Sequence, residues 1–229
     1  EGRMRIDILT LFPEMFAPLS SSIIGRARDE KKLTVNIVNI RDYSLDKHKK
    51  CDDYPFGGGA GMVMTPQPIT SAFEAVDPGR EAYRIYMSPK GRTLTQKEVP
   101  LLAGKEWLIL LCGHYEGVDQ RALDLNIDDE ISIGDYILTG GELPAMVLTD
   151  AVSRYLPEVL HSDISICEES FSEGLLEYPQ YTRPNTFRGL DVPEVLLSGH
   201  HANIARWRKE RAEELTEKLR PDLIRNKKD

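Results

Sequence analysis

Three short stretches of this chain carry the residue types needed to hold a small planar ligand: Ser132-Ile133-Gly134-Asp135-Tyr136-Ile137-Leu138-Thr139-Gly140-Gly141-Glu142-Leu143-Pro144, Tyr86-Met87-Ser88-Pro89 and Cys112-Gly113-His114-Tyr115-Glu116-Gly117. Each follows an apolar, strand-like run and is rich in Gly, Pro and small polar residues, the composition found where backbone must come close to a ligand. We read the three as walls of one pocket. A fourth loop, residues 52–62, holds Gly57, Gly58, Gly59 and Gly61. It lacks the Gly-Lys-Ser/Thr ending of a phosphate-binding P-loop and does not fit G-x-G-x-x-G opening a helix. Its use is rather to let backbone approach a planar ligand or a base. His200-His201 has no carboxylate or Cys at ligand spacing beside it, so no zinc site is expected.

The elements that must position these loops follow from periodicity. Residues 4–11 (MRIDILTL) read as a first strand, and Phe12-Pro13-Glu14 opens a helix running to about Lys32, with Pro where its missing N–H does no harm. Residues 33–40 (LTVNIVNI) form a second, β-branched strand. Strand, helix, strand implies a parallel pair in an α/β sheet. A helix over 66–76, a strand over 83–87, a helix from the capping-box spacing Thr95-Gln96-Lys97-Glu98, and the continuous apolar strand 107–112 (WLILLC) follow. Residues 142–155 form a helix with Leu143, Met146, Val147, Ala151 and Val152 on one face. Ligands of an open α/β sheet sit in loops at the carboxyl ends of its strands, where the three motifs lie.

Composition shifts near Leu156-Pro157. We divide the chain into an α/β domain over 1–160, a linker over 161–175 and a mainly helical domain over 176–229, which ends in a charged amphipathic helix over 202–219. The chain has 229 residues, enough for a sizeable core without disulfide support. Cys51, Cys112 and Cys167 make no C-x-x-C pair and leave an odd number, which suits a reducing, cytoplasmic setting. No apolar run approaches the roughly 18 residues of a membrane span. Glu1-Gly2-Arg3 before Met4 has the form of a tag remnant and is set aside from fold reasoning. Net charge is −8, a weak argument against nucleic acid, but residues 183–229 carry +3 and residues 1–182 carry −11. The basic end is thus the candidate polyanion surface.

Taken in order, LFPEMF (11–16), YPFGGGAGM (54–62), YMSPKGR (86–92), CGHYEG (112–117), SIGDYILTGGELPAM (132–146), SFSEGLLEYPQYTRP (170–184) and VPEVLLSGHHANIARWR (192–208) resemble the bacterial tRNA (guanine-37, N1)-methyltransferases of the SPOUT superfamily. The resemblance implies a mostly parallel α/β sheet with a deep trefoil knot that binds S-adenosylmethionine, and a homodimer with its active site at the subunit interface. It implies cofactor contacts at Tyr86, Ser88, Pro89, Gly113, Tyr115, Glu116, Ile133, Gly134, Asp135, Tyr136, Ile137, Leu138, Gly140, Gly141 and Pro144. Backbone donors and acceptors would read adenine, Ile133, Ile137 and Leu138 would cover its faces, and Glu116 and Tyr115 would lie near the methionine end or the target base. A tRNA with guanine at positions 36 and 37 is the implied partner, gripped through Gly59, Arg183, His201 and Arg208, while the target guanine is flipped into the pocket. The family is associated with Mg²⁺ dependence, which the sequence neither shows nor excludes.

Transfer to guanine N1 requires removal of its proton, and the family uses a linker aspartate held by an arginine that matches Arg154. Here the linker reads Glu168-Glu169-Ser170-Phe171, so Glu169 takes the position of the base with one more methylene. Glu and Asp have similar intrinsic acidity, so reach is what the change alters. Either the linker absorbs the extra length, Glu168 takes the role, or activity falls. Two other readings stand beside this one: a SPOUT enzyme acting on another RNA position, and a non-catalytic RNA-binding homologue, which the Glu169 departure favours.

Overall fold

The computed structural model describes residues 4–160, 170, 171 and 174–225. Glu168, Glu169 and Cys167 lie outside these residues, as does the tag-like Glu1-Gly2-Arg3. The chain divides into two compact units, Glu1–His161 and Ser162–Asp229.

The first unit is built on a five-stranded sheet of β1 (Met4–Thr10), β2 (Leu33–Asn39), β5 (Tyr83–Thr93), β6 (Trp107–Cys112) and β7 (Asp129–Ser132), in the spatial order β2-β1-β6-β5-β7. Every pairing in it is parallel. The inner strands β1 and β6 and the first half of β5 are buried runs, as a sheet covered on both faces requires: Ile6, Ile8, Leu108 and Leu110 pack toward one layer, and Leu9, Ile109 and Leu111 toward the other. The first layer is completed by α1 (Ser22–Asp29) and α5 (Glu142–Ser153), the second by α2 (Pro66–Val76) and α4 (Gln120–Asn126). A two-stranded antiparallel ribbon, β3 (Asp52–Asp53) with β4 (Val63–Met64), closes the base of the glycine-rich loop.

Several sequence expectations change in detail. The helix expected after β1 is instead a 3-10 segment, Pro13–Ser20, followed by α1. Pro18 inside the first segment lacks the N–H that a continuous α-helix would need, and Ser22 takes a positive φ of 57° at the break. At Thr95 the capping spacing is real, since Glu98 accepts from both the amide and the hydroxyl of Thr95 at 2.9 and 3.1 Å, yet the helix α3 covers only Val99–Ala103. The apolar residues of α5 divide between two sides of the helix. Its buried side is Pro144, Ala145, Leu148, Thr149, Val152 and Ser153, whereas Leu143 and Val147 are left 48% and 46% exposed.

In the second unit a β-hairpin, Thr186–Phe187 with Leu190–Asp191, turns through Arg188 and Gly189, both at positive φ. A short helix spans Glu194–Leu197, and the charged helix, expected over 202–219, spans His201–Leu219. Thr216, buried within that helix, accepts the amide of Leu176 at 2.8 Å. No helix among the described residues is long and apolar enough to cross a membrane.

Candidate active site

The carboxyl ends of β5, β6 and β7 lie side by side, and each strand leaves the sheet in a different way. In β5 the ladder to β7 skips: Met87 and Arg92 both pair with Ile131, so residues 88–91 bulge out of the strand. The Ser88 hydroxyl accepts the amide of Lys90 at 3.1 Å and shapes the bulge. Gly91 closes it, because a side chain there would meet the Glu130 carbonyl carbon at 2.4 Å.

After β6 the backbone turns through Gly113, His114, Tyr115 and Glu116, with the Gly117 amide donating to the His114 carbonyl at 3.1 Å. Gly117 sits at φ 127°, a conformation open mainly to glycine. The Glu116 amide donates to the Met62 carbonyl at 3.0 Å and the Met64 amide to the Gly117 carbonyl at 2.9 Å, so the glycine-rich loop is tied to this turn at its base. After β7 the Ser132 hydroxyl accepts the amide of Gly134 at 3.2 Å. The chain then swings out through the exposed Tyr136 and Ile137 and returns at Gly140, which bridges His114.

These three turns enclose a pocket of about 280 Å³. Tyr86, Ser88, Pro89, Gly113, Tyr115, Glu116, Ile133, Gly134, Tyr136, Ile137, Leu138, Gly140, Gly141 and Pro144 all line it. Of the residues expected there, only Asp135 does not; it is exposed. Met87, Lys90, His114, Gly117, Ser132 and Thr139 also line the pocket and lie within the motifs already singled out, whereas Val118, Leu123 and Ile131 had no signal of their own. Gly141 lies so close to β6 that a Cβ would stand 2.8 Å from the Cys112 Cα. The wall there is bare backbone.

The titratable groups around the pocket are held neutral where burial governs them. Burial, with the Glu130 carboxylate adding to it, pushes the Tyr86 phenol up to about 12, so it remains a neutral hydroxyl. Burial and then Glu142 push the Cys112 thiol well up, which removes it as a nucleophile. Glu116 sits over Gly61, where any side chain would meet its carboxylate oxygen at 2.5 Å.

The remaining expected residues lie elsewhere. Arg154 ends α5 and lines a separate apolar recess of about 550 Å³ with Leu19, Ile23, Ile24, Met146 and Val147. Gly59 stands in open space at φ 122°. In the second unit Arg183 is exposed, His201 opens the long helix, and the Arg208 guanidinium lies 4.8 Å from the centre of the Tyr178 ring. Glu169 falls outside the described residues.

A chain with this pocket matches the family described as tRNA (guanine-1)-methyltransferase TrmD over residues 4–226. It belongs to that family. Similar proteins named tRNA (guanine-N(1)-)-methyltransferase include one from Ruminiclostridium cellulolyticum, 59% identical over 224 residues that cover 96% of each chain. Another, from Moorella thermoacetica, is 58% identical over 225 residues, covering 96% of this chain and 90% of its own. A third, from Alkaliphilus oremlandii, is 56% identical over 231 residues, covering 97% and 93%. The TrmD match runs through both compact units.

Proposed function

We propose that this chain transfers a methyl group from S-adenosylmethionine to N1 of guanine 37 in the anticodon loop of tRNA. The observation that carries the reading is the meeting of residues 86–90, 113–118 and 131–144 around one pocket in a chain of the TrmD family. The residues present suit the cofactor. Gly113, Gly140 and Gly141 offer backbone with no side chain between it and an adenine edge, and Ile133, Ile137 and Leu138 provide apolar cover. Bound there, S-adenosylmethionine would supply an electrophilic methyl on a positively charged sulfonium.

This chain's own residues do the rest. The Glu116 carboxylate places negative charge in the pocket, which favours a cationic ligand. The neutral Tyr86 phenol can donate a hydrogen bond. Glu169 removes the guanine N1 proton, with Glu168 one residue away as the other carboxylate of the linker, and Arg154 orients the base. Guanine at 36 and 37 is read through backbone near Gly59, and Arg183, His201 and Arg208 hold the anticodon stem and loop. Among the described residues no group of three or more His, Cys, Asp or Glu is placed to hold a metal ion, so no step is assigned to Mg²⁺.

The active enzyme is a homodimer in this reading. The exposed stripe of Ile23, Leu143 and Val147 beside the Arg154 recess supports that arrangement, since large apolar side chains clustered on one face favour a partner. In this reading the chain carries the deep trefoil knot of the SPOUT fold, with Gly140 against His114 and Gly141 against Gly113 where two of its turns would meet. Mapping the modified nucleotide by mass spectrometry after incubation with unmodified tRNA tests the reading: 1-methylguanosine at position 37 supports it, and a methyl group at any other nucleotide overturns it.

A further inference from the structure

Beneath the pocket wall lies a carboxylate that the transfer reaction leaves without a task. Glu142, the first residue of α5, is only 1% exposed. Its Oε1 accepts the Thr10 hydroxyl at 2.9 Å, while its Oε2 has no hydrogen-bond donor among the described residues. The atom facing Oε2 is His114 Nδ1, 3.9 Å away and likewise without a hydrogen bond among the described residues. A buried carboxylate served by one neutral hydroxyl is costly, and an imidazole nitrogen left unpaired beside it adds to that cost. Two orphaned groups of complementary character thus face each other across a gap about 1 Å too long for a hydrogen bond.

The surroundings say what closes the gap. Gly140 lies over the pair: a Cβ there would stand 2.3 Å from Glu142 Oε2 and 2.6 Å from His114 Nδ1. Gly140 and His114 both line the pocket and bridge one another, so a ligand resting on this wall presses on the segment that covers both orphan atoms. It also takes water from the His114 side chain, which is 22% exposed, and a charge pair strengthens as its dielectric falls. Among the described residues, the other groups set against His114 bring no charge to this contact. Phe12, from the β1 side, stacks at 4.6 Å; Tyr115, from its own turn, meets it edge-on at 5.0 Å; Cys112 is held as the neutral thiol; and Thr10 does not titrate. Glu116, two residues along the turn, lines the pocket itself.

We infer that Glu142 and His114 form a positioning pair that closes when the pocket is filled, locking the 113–117 turn to the 139–141 wall through a charged Nδ1–H···Oε2 hydrogen bond. Neither residue touches the reacting atoms through this contact. Closure favours the proton on His114, so filling the pocket takes up a proton from solvent near neutral pH, and ligand affinity falls as pH rises. The inference rests on the proposed cofactor reading of the pocket.

Calorimetric titration of the full chain with S-adenosylhomocysteine, in buffers of different ionisation enthalpy and at about pH 6 and pH 8, tests it. The ligand's own titrating groups are the same for every protein compared. The wild type is expected to take up a fraction of a proton and to bind about three- to tenfold more tightly at the lower pH. Glu142→Gln, which keeps the shape and the Thr10 contact, and His114→Gln are each expected to lose that uptake and to flatten the pH dependence. Without ligand, Glu142→Gln is expected to melt no lower than the wild type, since it removes an unpaired buried charge. Proton uptake unchanged in both variants overturns the pair, as does a lowered melting temperature of Glu142→Gln with uptake intact. Failure of the wild type to bind the probe at all overturns the cofactor reading, and the pair's role with it.

Discussion

The Gly141 amide donates to the Gly113 carbonyl at 2.9 Å, joining two segments that leave different strands and are far apart in the chain. This contact sets the width of the pocket wall, and Gly141 can make it because it has no side chain. The two glycines nevertheless differ. A Cβ on Gly141 would meet backbone, the Cys112 Cα at 2.8 Å and the Gly113 nitrogen at 2.9 Å, whereas a Cβ on Gly113 would meet the far end of the Tyr86 side chain at 2.7 Å. Backbone cannot step aside cheaply, but a tyrosine tip can move. Gly141→Ala should therefore weaken S-adenosylhomocysteine binding by about tenfold or more, and Gly113→Ala by less. Calorimetry on the two variants checks the order, and the reverse order would show that the wall is not built this way.

A second prediction concerns stability at low pH. Asp77 and Arg84 are both buried and pair at 2.9 Å, and Asp77 also accepts the amides of Glu81 and Ala82. Burial alone would raise the Asp77 carboxyl, but the Glu81 amide, the Arg84 guanidinium and the Ala82 amide together hold it below the usual value. With its folded-state value depressed, Asp77 contributes stability that is complete above the unfolded value of about 3.9 and is lost as pH falls through the folded value. Asp77→Asn should cost about 3–5 kcal/mol at neutral pH, because it leaves Arg84 charged and unmatched. Its stability should also fall less steeply below about pH 4 than that of the wild type. Urea unfolding at neutral and acidic pH reads both effects.

How much of this could be read from the sequence depends on the range of the forces involved. The parallel α/β sheet and the three glycine-rich turns were legible because strand burial and backbone-permissive composition are local signals. Strand order was not: β6 inserts between β1 and β5, a choice made by long-range packing of Leu108, Ile109 and Leu110. On α5 the apolar residues read onto one face divide in the structure: Val152 joins Ala145 and Leu148 in the core, while Leu143 and Val147 stay exposed. Hydrophobicity marks a face for burial without saying whether the covering surface belongs to the same chain. Glu142 was the reverse case, since an acidic residue at a helix start reads as a dipole match and gives no hint of its burial.

The exposed α5 stripe gives a third prediction. Val147→Glu places charge among Ile23, Leu143 and Met146 without disturbing the buried side of the helix. The variant should sediment as a monomer and lose methyl transfer, while retaining the melting behaviour of a folded chain. A dimer that withstands this charge would move the interface elsewhere.

The linker base is tested by three variants. Glu169→Gln should reduce methyl transfer by at least about 100-fold with S-adenosylhomocysteine affinity unchanged, and Glu168→Gln should have a much smaller effect. Glu169→Asp restores the shorter side chain of the family pattern and should retain transfer. Single-turnover rates decide between the two carboxylates, and full activity in Glu169→Gln would remove the assignment.

Choice of guanine 37 by this enzyme is read from methyl transfer from S-adenosylmethionine to two unmodified tRNA transcripts that share guanine 36 and differ only in guanine or adenine at 37. Transfer to the guanine 37 transcript is expected, with none above background to the adenine 37 transcript. Equal transfer to both, or transfer to neither, would contradict it.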